Sequence, residues 1–251
     1  MTFSIIMPVK GNSSFTRDFF TSFHKNTQSR DYEFIVINNG DDEETHQILE
    51  EQSEKISKLS VINNDKNIGV AASWNQGIKE AKGDYICIVN NDIEILTPGW
   101  LGFFKKRLDK STSIYWTSPM TCYSKNNKNR QFRPSHYEQL KYGTDIYSYV
   151  VGCCFMCPLK AFEDVGLFDE KFEMKYYEDL DFINRIFSKG KMVSMTHDVL
   201  VYHAVGATSR ITKGGGGNYD RYKMKWENTN FDILAKQPNK IKGIKHFDQR
   251  K

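Results

Sequence analysis

At 251 residues the chain can bury a sizeable core, and 39% hydrophobic with 26% charged residues is typical of a globular protein. The formal net charge of +4 is too small to make nucleic acid the expected ligand. No uninterrupted apolar run reaches about 18 residues, and the first residues lack a basic region followed by a long apolar stretch. These features predict a cytoplasmic protein.

The first hundred residues alternate short apolar runs with longer segments that predict crossover helices. The predicted strands are residues 3–9, 33–37, 59–62 and 85–89, and the predicted helices are residues 16–27, 42–55 and 71–81. This βαβαβαβ order predicts a doubly wound α/β sheet, whose ligands bind beyond the carboxyl ends of the strands. The chemistry is therefore expected near residues 8–12, 38–41, 63–69 and 90–94.

The fourth predicted strand ends in Asn90, Asn91 and Asp92. Mn²⁺ or Mg²⁺ takes such oxygen ligands and completes its shell with water and substrate phosphates, so one carboxylate can suffice. The same residue types are also common in a plain turn after a strand. From these residues alone, both interpretations stay open.

Beyond residue 100 the strict alternation ends. Helices are predicted over residues 100–108 and 178–189, and strands over residues 113–122, 147–157 and 199–202. A polar, basic loop is predicted over residues 124–133. We predict one domain over residues 1–212, followed by a flexible glycine-rich segment and a basic C-terminal extension over residues 213–251. The tail over residues 236–251 is either solvated or in peripheral contact with the inner, anionic face of a membrane.

Five cysteines include Cys153, Cys154 and Cys157. Their spacing contains one CxxC, without the second pair or the histidine pair that would complete a zinc site. Reduced thiols within a strand are therefore expected.

A series of motifs, in chain order, resembles glycosyltransferase family 2. They are IIMPV (5–9), INNG (37–40), NIG (67–69), GDY (83–85) before NND (90–92), GLFDE (166–170), ED (178–179) and YH (202–203). The resemblance covers roughly residues 3–209. It implies the GT-A fold, a Rossmann-like mixed and mostly parallel sheet flanked by helices, with a small C-terminal extension. It also implies a nucleotide-diphosphate-sugar donor, a divalent metal and inversion at the anomeric carbon.

Two positions depart from the family's usual pattern. The family commonly has Asp-x-Asp where this chain has Asn90-Asn91-Asp92, so only Asp92 can bring charge to the metal. The family also commonly has aspartate where Asn38 stands, against the uracil edge. An amide accepts the same N3 hydrogen only with its carbonyl turned inward. Uracil or thymine is the favoured base.

The resemblance also implies roles for single residues. Asp179 is expected to act as the base, at the positive end of a predicted helix, and Glu178 to hydrogen-bond the acceptor. Asp92 and His203 are expected to hold the Mn²⁺ or Mg²⁺. The nucleotide-sugar is expected to contact Pro8, Val9, Asn38, Asn39, Asn67, Gly69, Asn90, Asn91 and Gly152, with Gly152 leaving room for the donor sugar.

Arg210 and Lys213 lie beside four consecutive glycines. They could fold over the diphosphate as a lid, or belong to a flexible linker.

We therefore predict an inverting glycosyltransferase that moves a sugar from a UDP- or dTDP-sugar to a hydroxyl of a glycan or lipid-linked acceptor, in polysaccharide or glycoconjugate synthesis. A sugar nucleotidyltransferase would resemble its relatives in a glycine-rich basic loop after the first strand, and residues 8–13 lack the repeated glycines. A catalytically degenerate nucleotide-sugar- or carbohydrate-binding module is favoured by the missing acid at the metal strand. The presence of Asp92, Asp179 and His203 together opposes that alternative.

Overall fold

The computed structural model describes residues 2–40, 42–122, 141–142, 146–147, 152–204, 214 and 216–227. The predicted loop over residues 124–133, the lid residues Arg210 and Lys213, and the tail over residues 236–251 lie outside the described residues.

Within these ranges the chain forms ten strands and seven helices. The strands are β1 Phe3–Val9, β2 Tyr32–Asn38, β3 Leu59–Asn63, β4 Tyr85–Val89, β5 Ile93–Ile95, β6 Ile114–Cys122, β7 Lys141–Tyr142, β8 Ile146–Tyr147, β9 Cys154–Pro158 and β10 Met192–His203. The helices are α1 Ser13–Asn26, α2 Glu43–Lys55, α3 Val70–Glu80, α4 Trp100–Leu108, α5 Leu159–Val165, α6 Glu178–Ser188 and α7 Asn218–Trp226.

These strands join one sheet in the order β3-β2-β1-β4-β9-β6-β10-β8-β7, with β5 paired to β10. The strands β1 to β4 run parallel, as predicted. Beyond them, β9 runs antiparallel to β4 and β6, and β10 runs parallel to β6. The predicted mixed sheet is confirmed. Because β4 and β9 are antiparallel, the end of β4 lies beside the start of β9, with Val89 opposite Cys154.

The first strands are buried because helices cover both faces of the sheet. Side chains of a strand alternate between faces. In β1, Ile5 and Met7 therefore join one apolar cluster, which includes Phe23 of α1. Ile6 joins the opposite cluster, which includes Trp74 of α3. Burying one such side chain stabilises the fold by about 1.5–3 kcal/mol, so two covered faces explain why these strands are apolar throughout.

Most of the predicted elements are confirmed, including β1 and β4 with the predicted bounds. The strand predicted over residues 147–157 is wrong as a single element. Ile146–Tyr147 forms β8 on the edge of β10, whereas Gly152 and Cys153 form a turn and β9 begins at Cys154. The reason is that β8 and β9 pair with different strands on opposite sides of β10, so no straight strand can include both.

Helix α7 lies inside the segment predicted to be flexible and was not predicted. It is mostly polar, so its sequence pattern gives little indication of a buried face. The domain boundary after residue 212 stays a prediction. Strand β5 and helix α5 were also not predicted, because elements of three and seven residues are too short to show a periodicity.

None of the helices in the described part of the chain combines the length and the apolarity that crossing a membrane requires.

Candidate active site

The two predicted metal ligands, Asp92 and His203, lie where β5 pairs with β10. His203 is opposite Ile93 in this antiparallel pair, and the Ala204 N–H donates to the Asp92 carbonyl at 2.9 Å. Because Asp92 precedes β5 directly and His203 ends β10, the pairing brings the side chains together. Asp92 Oδ1 lies 3.5 Å from His203 Nε2.

Both side chains are largely buried, with exposed fractions of 7% for Asp92 and 11% for His203. Burial lowers the pKa of His203, but Cys153 and Asp92 outweigh it and raise the pKa well above its ordinary value. Asp92 Oδ1 is buried and accepts no hydrogen bond from the described residues. Such an oxygen is suited to a hard cation.

A cation held by this pair would need further ligands. Among the described residues, no group of three or more histidine, cysteine and acidic side chains is arranged to hold a metal. Mn²⁺ or Mg²⁺ commonly takes several of its ligands from water and substrate phosphates, so the pair fits such an ion bound together with its substrate.

Cys153 contacts His203, although the sequence indicated only a structural thiol. Burial raises the pKa of Cys153, and the nearby imidazole opposes that rise. The Asn90 N–H donates to the Cys153 carbonyl at 2.8 Å, which attaches the turn to the end of the acidic strand. The CxxC spacing carries no signal for this contact, because the contact depends on the order of strands in the sheet.

Asp179, the predicted base, is the second residue of α6 and is half-buried. Its Oδ1 accepts from the Leu180 N–H at 2.8 Å, and its Oδ2 accepts from the Gly152 N–H at 3.3 Å. A Cβ at Gly152 would lie 2.9 Å from Asp179 Oδ2. The sequence analysis expected Gly152 to leave room for the donor sugar. In the structure the Asp179 carboxylate lies in the space beside Gly152.

Glu178 is buried beside Asp179 at the start of α6. Burial raises the pKa of Glu178 well above its ordinary value, and the neighbouring Asp179 charge raises it further. Its Oε2 neither accepts nor donates a hydrogen bond within the described ranges. The environment therefore favours a neutral carboxylic acid, which can donate a hydrogen bond.

The turn at Gly152 and Cys153 lies between the two groups. Gly152 contacts Asp179, and Cys153 contacts His203. The structure thus brings the predicted metal pair and the predicted base to one turn, at the edge of the sheet where the sequence placed the chemistry.

The predicted base-binding residues Asn38 and Asn39 are buried at the end of β2. Asn38 Nδ2 donates to Asn63 Oδ1 at 2.8 Å, and its Oδ1 accepts from the Gly40 N–H at 3.1 Å. The Asn39 N–H donates to the carbonyl of Val9 at 2.9 Å, which joins this turn to the end of β1 after Pro8. The side-chain oxygen of Asn38, Oδ1, has a second lone pair beyond the one that accepts from Gly40, so it can accept one more hydrogen bond.

Asn39 belongs to a network of neutral amides. Its Nδ2 donates to Ser73 Oγ at 2.7 Å, and its Oδ1 accepts from Asn64 Nδ2 at 2.9 Å. Asn64 in turn exchanges hydrogen bonds with Gln76 at 2.9 and 3.1 Å. This network connects β2 and the loop after β3 to helix α3.

Gly69 has a φ of 85°, and a Cβ there would lie 2.8 Å from the Met174 backbone nitrogen. The close approach at Gly69 is therefore to the loop before α6. Asn67 Oδ1 accepts from the Gly69 N–H at 3.0 Å. Any contact of Asn67 or Gly69 with a nucleotide stays a prediction.

Asn90 is half-buried, whereas Asn91 is buried and points under the loop after β1. Asn91 Nδ2 donates to Thr16 Oγ1 at 3.0 Å and to the Gly11 carbonyl at 3.5 Å. The described contacts of Asn91 thus support the loop that carries residues 8–12.

Two solved structures with this fold contain a nucleotide and Mn²⁺. GalNAc-T7, determined with UDP, GalNAc and Mn²⁺, superposes with a TM-score of 0.69 at 16% identity, over 93% of this chain and 50% of that protein. The mannosyltransferase PcManGT from Pyrobaculum calidifontis, determined with GDP-Man and Mn²⁺, superposes with a TM-score of 0.65 at 13% identity, over 95% of this chain and 73% of that one. This chain spans half of the GalNAc-T7 structure. At these identities the likeness shows the fold, and it confirms the predicted GT-A fold.

The mixed sheet thus has the GT-A fold. Residues 4–166 match the domain described as glycosyl transferase family 2. An uncharacterized glycosyltransferase of Rickettsia prowazekii is 26% identical, over 97% of this chain and 76% of the relative. The chain belongs to glycosyl transferase family 2, as its motifs predicted.

Proposed function

We propose that the chain transfers a sugar, with inversion, from a UDP- or dTDP-sugar to a hydroxyl of a glycan or lipid-linked acceptor in polysaccharide or glycoconjugate synthesis. The observation that carries this proposal is the juxtaposition of Asp92, His203 and Asp179 around one turn. It joins a cation-binding pair to a carboxylate of the kind that serves as a general base.

Asp92 and His203 are proposed to hold the divalent cation against the donor diphosphate. The buried Asp92 Oδ1 and the 3.5 Å separation from His203 Nε2 support this assignment. When bound, Mn²⁺ or Mg²⁺ would supply positive charge to the leaving diphosphate. Mn²⁺ in both neighbouring structures agrees with this choice, whereas their nucleotides, UDP and GDP-Man, differ in the base. The preference for uracil or thymine comes from the family resemblance, and Asn38 can accept the N3 hydrogen of such a base only with its side-chain carbonyl turned inward.

Asp179 is proposed to take the proton of the acceptor hydroxyl. The acceptor oxygen then forms a bond to the anomeric carbon from the face opposite the diphosphate. The bond between that carbon and the diphosphate oxygen breaks, and the nucleoside diphosphate leaves. The positive end of the α6 dipole and the Gly152 N–H both stabilise the charged form of Asp179, which a base must have before reaction.

Glu178 is proposed to orient the acceptor. Its neutral form can donate a hydrogen bond to an acceptor oxygen, while Asp179 beside it accepts the proton. In this proposal the two adjacent carboxyl groups have different protonation states, because burial and the Asp179 charge raise the pKa of Glu178.

A donor-hydrolysis screen tests the proposal. The purified chain is incubated with UDP-, dTDP- and GDP-sugars, with Mn²⁺ and with EDTA, and the release of nucleoside diphosphate is measured. We expect release from a UDP- or dTDP-sugar with Mn²⁺, and its loss in EDTA. If no donor is turned over and none binds, the catalytically degenerate module becomes the better description.

A further inference from the structure

The loop before α6 has an unusual backbone. Met174, Tyr176 and Tyr177 have φ values of 62°, 77° and 74°, in the left-handed region that side chains with a Cβ rarely adopt. Such residues persist where surrounding contacts enforce them, and they are frequent at functional sites. Tyr177 directly precedes Glu178, so this loop determines where α6 begins.

Asn218, the first residue of α7, supports this loop. Its buried Nδ2 donates to three loop carbonyls, those of Glu173 at 2.8 Å, Lys175 at 2.9 Å and Tyr176 at 3.2 Å. Asn218 lies beyond the matched domain, residues 4–166, from which the Val70 N–H also donates to the loop, to the Met174 carbonyl at 2.8 Å. The segment beyond the matched domain therefore holds the loop beside the proposed base.

The other end of α7 is anchored to α6. Asp181 is fully buried, and its Oδ1 accepts from Trp226 Nε1 at 3.0 Å and from Lys225 Nζ at 2.8 Å. Asn184 Nδ2 donates to the Tyr222 hydroxyl at 2.7 Å. Helix α7 is thus fixed along α6, although its own sequence is polar.

Together the loop and α7 present four tyrosines, which we call the tyrosine surface: Tyr176, Tyr177, Tyr219 and Tyr222. The ring of Tyr177 lies with its centroid 5.8 Å from that of Tyr219 and 5.3 Å from that of Tyr222. Tyr176 is 52% exposed and Tyr219 is 55% exposed. Exposed aromatic rings clustered on two segments that are fixed by buried polar contacts are typical of a binding site.

The tyrosine surface adjoins the proposed base. Tyr177 is two residues before Asp179 in the chain. Tyr222 is close enough to the helix start for the charges of Asp181 and Asp179 to add to the effect of burial, which raises the pKa of its hydroxyl. A molecule that lies on the rings would therefore lie on the segment that leads directly into the start of α6.

We propose that the tyrosine surface binds a sugar ring of the acceptor, which is accordingly a saccharide. A tyrosine ring offers a flat apolar face to the C–H face of a pyranose, and its hydroxyl can donate to or accept from sugar hydroxyls. The role of the bound saccharide as acceptor rests on the proposed function; its binding does not.

The charges around the tyrosine surface favour a saccharide over an anionic membrane. Helix α7 carries Asp220 and three cations, Arg221, Lys223 and Lys225. Lys225 is paired with Asp169 and Asp181, and Lys175 Nζ lies 5.4 Å from the Tyr176 ring centroid. An acidic lipid surface attracts a uniformly basic segment, whereas a mixed surface gives no such preference. A neutral pyranose ring can stack on tyrosine whether or not the protein surface around it carries a net charge.

Saturation-transfer NMR with maltose, cellobiose, lactose and chitobiose, without donor, tests the proposal. We expect at least one of these probes to receive saturation from the wild-type chain. Tyr176→Ala and Tyr219→Ala should each weaken its binding roughly three- to tenfold, since each removes one stacking ring. Both rings are more than half exposed, so these changes remove little packing. The matched control is Met224→Ala, which is 72% exposed on the same helix outside the tyrosine surface and should bind like the wild type.

The proposal is overturned if none of the four probes binds, or if both tyrosine variants bind as tightly as the wild type. It is also overturned if the variants lose binding only to phosphatidylglycerol vesicles, because the tyrosine surface would then be a membrane contact. The donor screen decides the proposed function independently. Saccharide binding without donor turnover would support the tyrosine surface as a saccharide site and contradict the proposed function. Donor turnover without saccharide binding would support the proposed function and contradict the saccharide site.

Discussion

The two halves of the sheet edge differ in the polar groups that they bring together. At the ends of β2 and β3, neutral amides pair with each other, as Asn39 does with Asn64. Around β5, β9 and α6, buried acids are left incompletely paired: neither Asp92 Oδ1 nor Glu178 Oε2 has a hydrogen-bond partner among the residues described. Three left-handed residues, Met174, Tyr176 and Tyr177, lie on this second side, whereas one, Asn12, lies after β1.

This difference indicates that one side serves as a scaffold and the other carries the chemistry. A satisfied amide network stabilises its surroundings and holds one conformation, which suits a scaffold for a nucleotide. Unpaired buried carboxyl oxygens and an unfavourable backbone destabilise the fold, and they persist where chemistry or binding requires them. Four predictions test the comparison.

The largest effect is expected for Asp179→Asn. If Asp179 is the base, this change lowers the transfer rate by about 10²- to 10⁴-fold, the usual contribution of a general base, while donor binding is retained. Rates are measured by release of nucleoside diphosphate, and donor binding by calorimetry. Asp198→Asn, an exposed change of the same chemistry on β10, is the control. A variant that transfers at the wild-type rate would remove Asp179 from the mechanism.

The next effect is expected at the metal pair. Asp92→Ala should abolish metal-dependent donor binding, because Asp92 carries the only charge of the Asn90-Asn91-Asp92 motif. Asn90→Ala should only weaken that binding, within the 10- to 100-fold range typical of residues that support a metal site. Calorimetric titration of the donor, with Mn²⁺ and with EDTA, compares the two. Equal losses in both variants would contradict the assignment of the charge to Asp92.

A smaller, structural effect is expected for Asn218→Ala. The change removes the Asn218 donor from three carbonyls of the strained loop, of which the Glu173 carbonyl keeps the Lys175 N–H, and we expect it to destabilise the protein by about 1–3 kcal/mol. Hydrogen exchange should become faster at residues 173–179. Asn64→Ala serves as the matched change in the amide network and should instead speed exchange near residues 38–40. Faster exchange at the same residues in both variants would show that the two regions do not behave separately.

An effect of similar size but opposite sign is expected for Glu178→Gln, which should stabilise the protein at neutral and higher pH by about 1–3 kcal/mol. The pKa of Glu178 is raised in the folded state, so folding is favoured when Glu178 is protonated. That stability is fully present below the ordinary glutamate pKa and is lost as the pH rises through the raised pKa. The gain from glutamine should therefore shrink as the pH falls. Chemical denaturation at several pH values measures it, and a gain that does not vary with pH would argue against a raised pKa.

Much of the first half of the fold could be predicted because its signals are local. Each of the strands β1 to β4 is a continuous apolar run bounded by turn residues, and the bounds of β1 and β4 are as predicted. The helices α1 to α3 could be predicted too, from the length of the segments between the strands and from the turn residues that bound them. The predicted helix at Glu178 was also confirmed as α6.

The second half contains what could not be predicted. Strand β5 has three residues and exists only because β10 pairs with it. Helix α7 depends on Asn218 and on the buried carboxylate of Asp181, which accepts from Lys225 and Trp226. Neither element has a local pattern strong enough to indicate it.

The sequence by itself determined the fold class, the family and the residue types that carry charge at the site, with Asp92 as the one acid of its motif. These follow from apolar runs, turn residues and motif order, all of which are local along the chain. Only the tertiary structure decided that Asp92 meets His203, that Gly152 yields its space to Asp179, and that a helix beyond the matched domain supports the loop before α6. Those contacts depend on strand order and register, which join residues far apart in the sequence and leave no local signal.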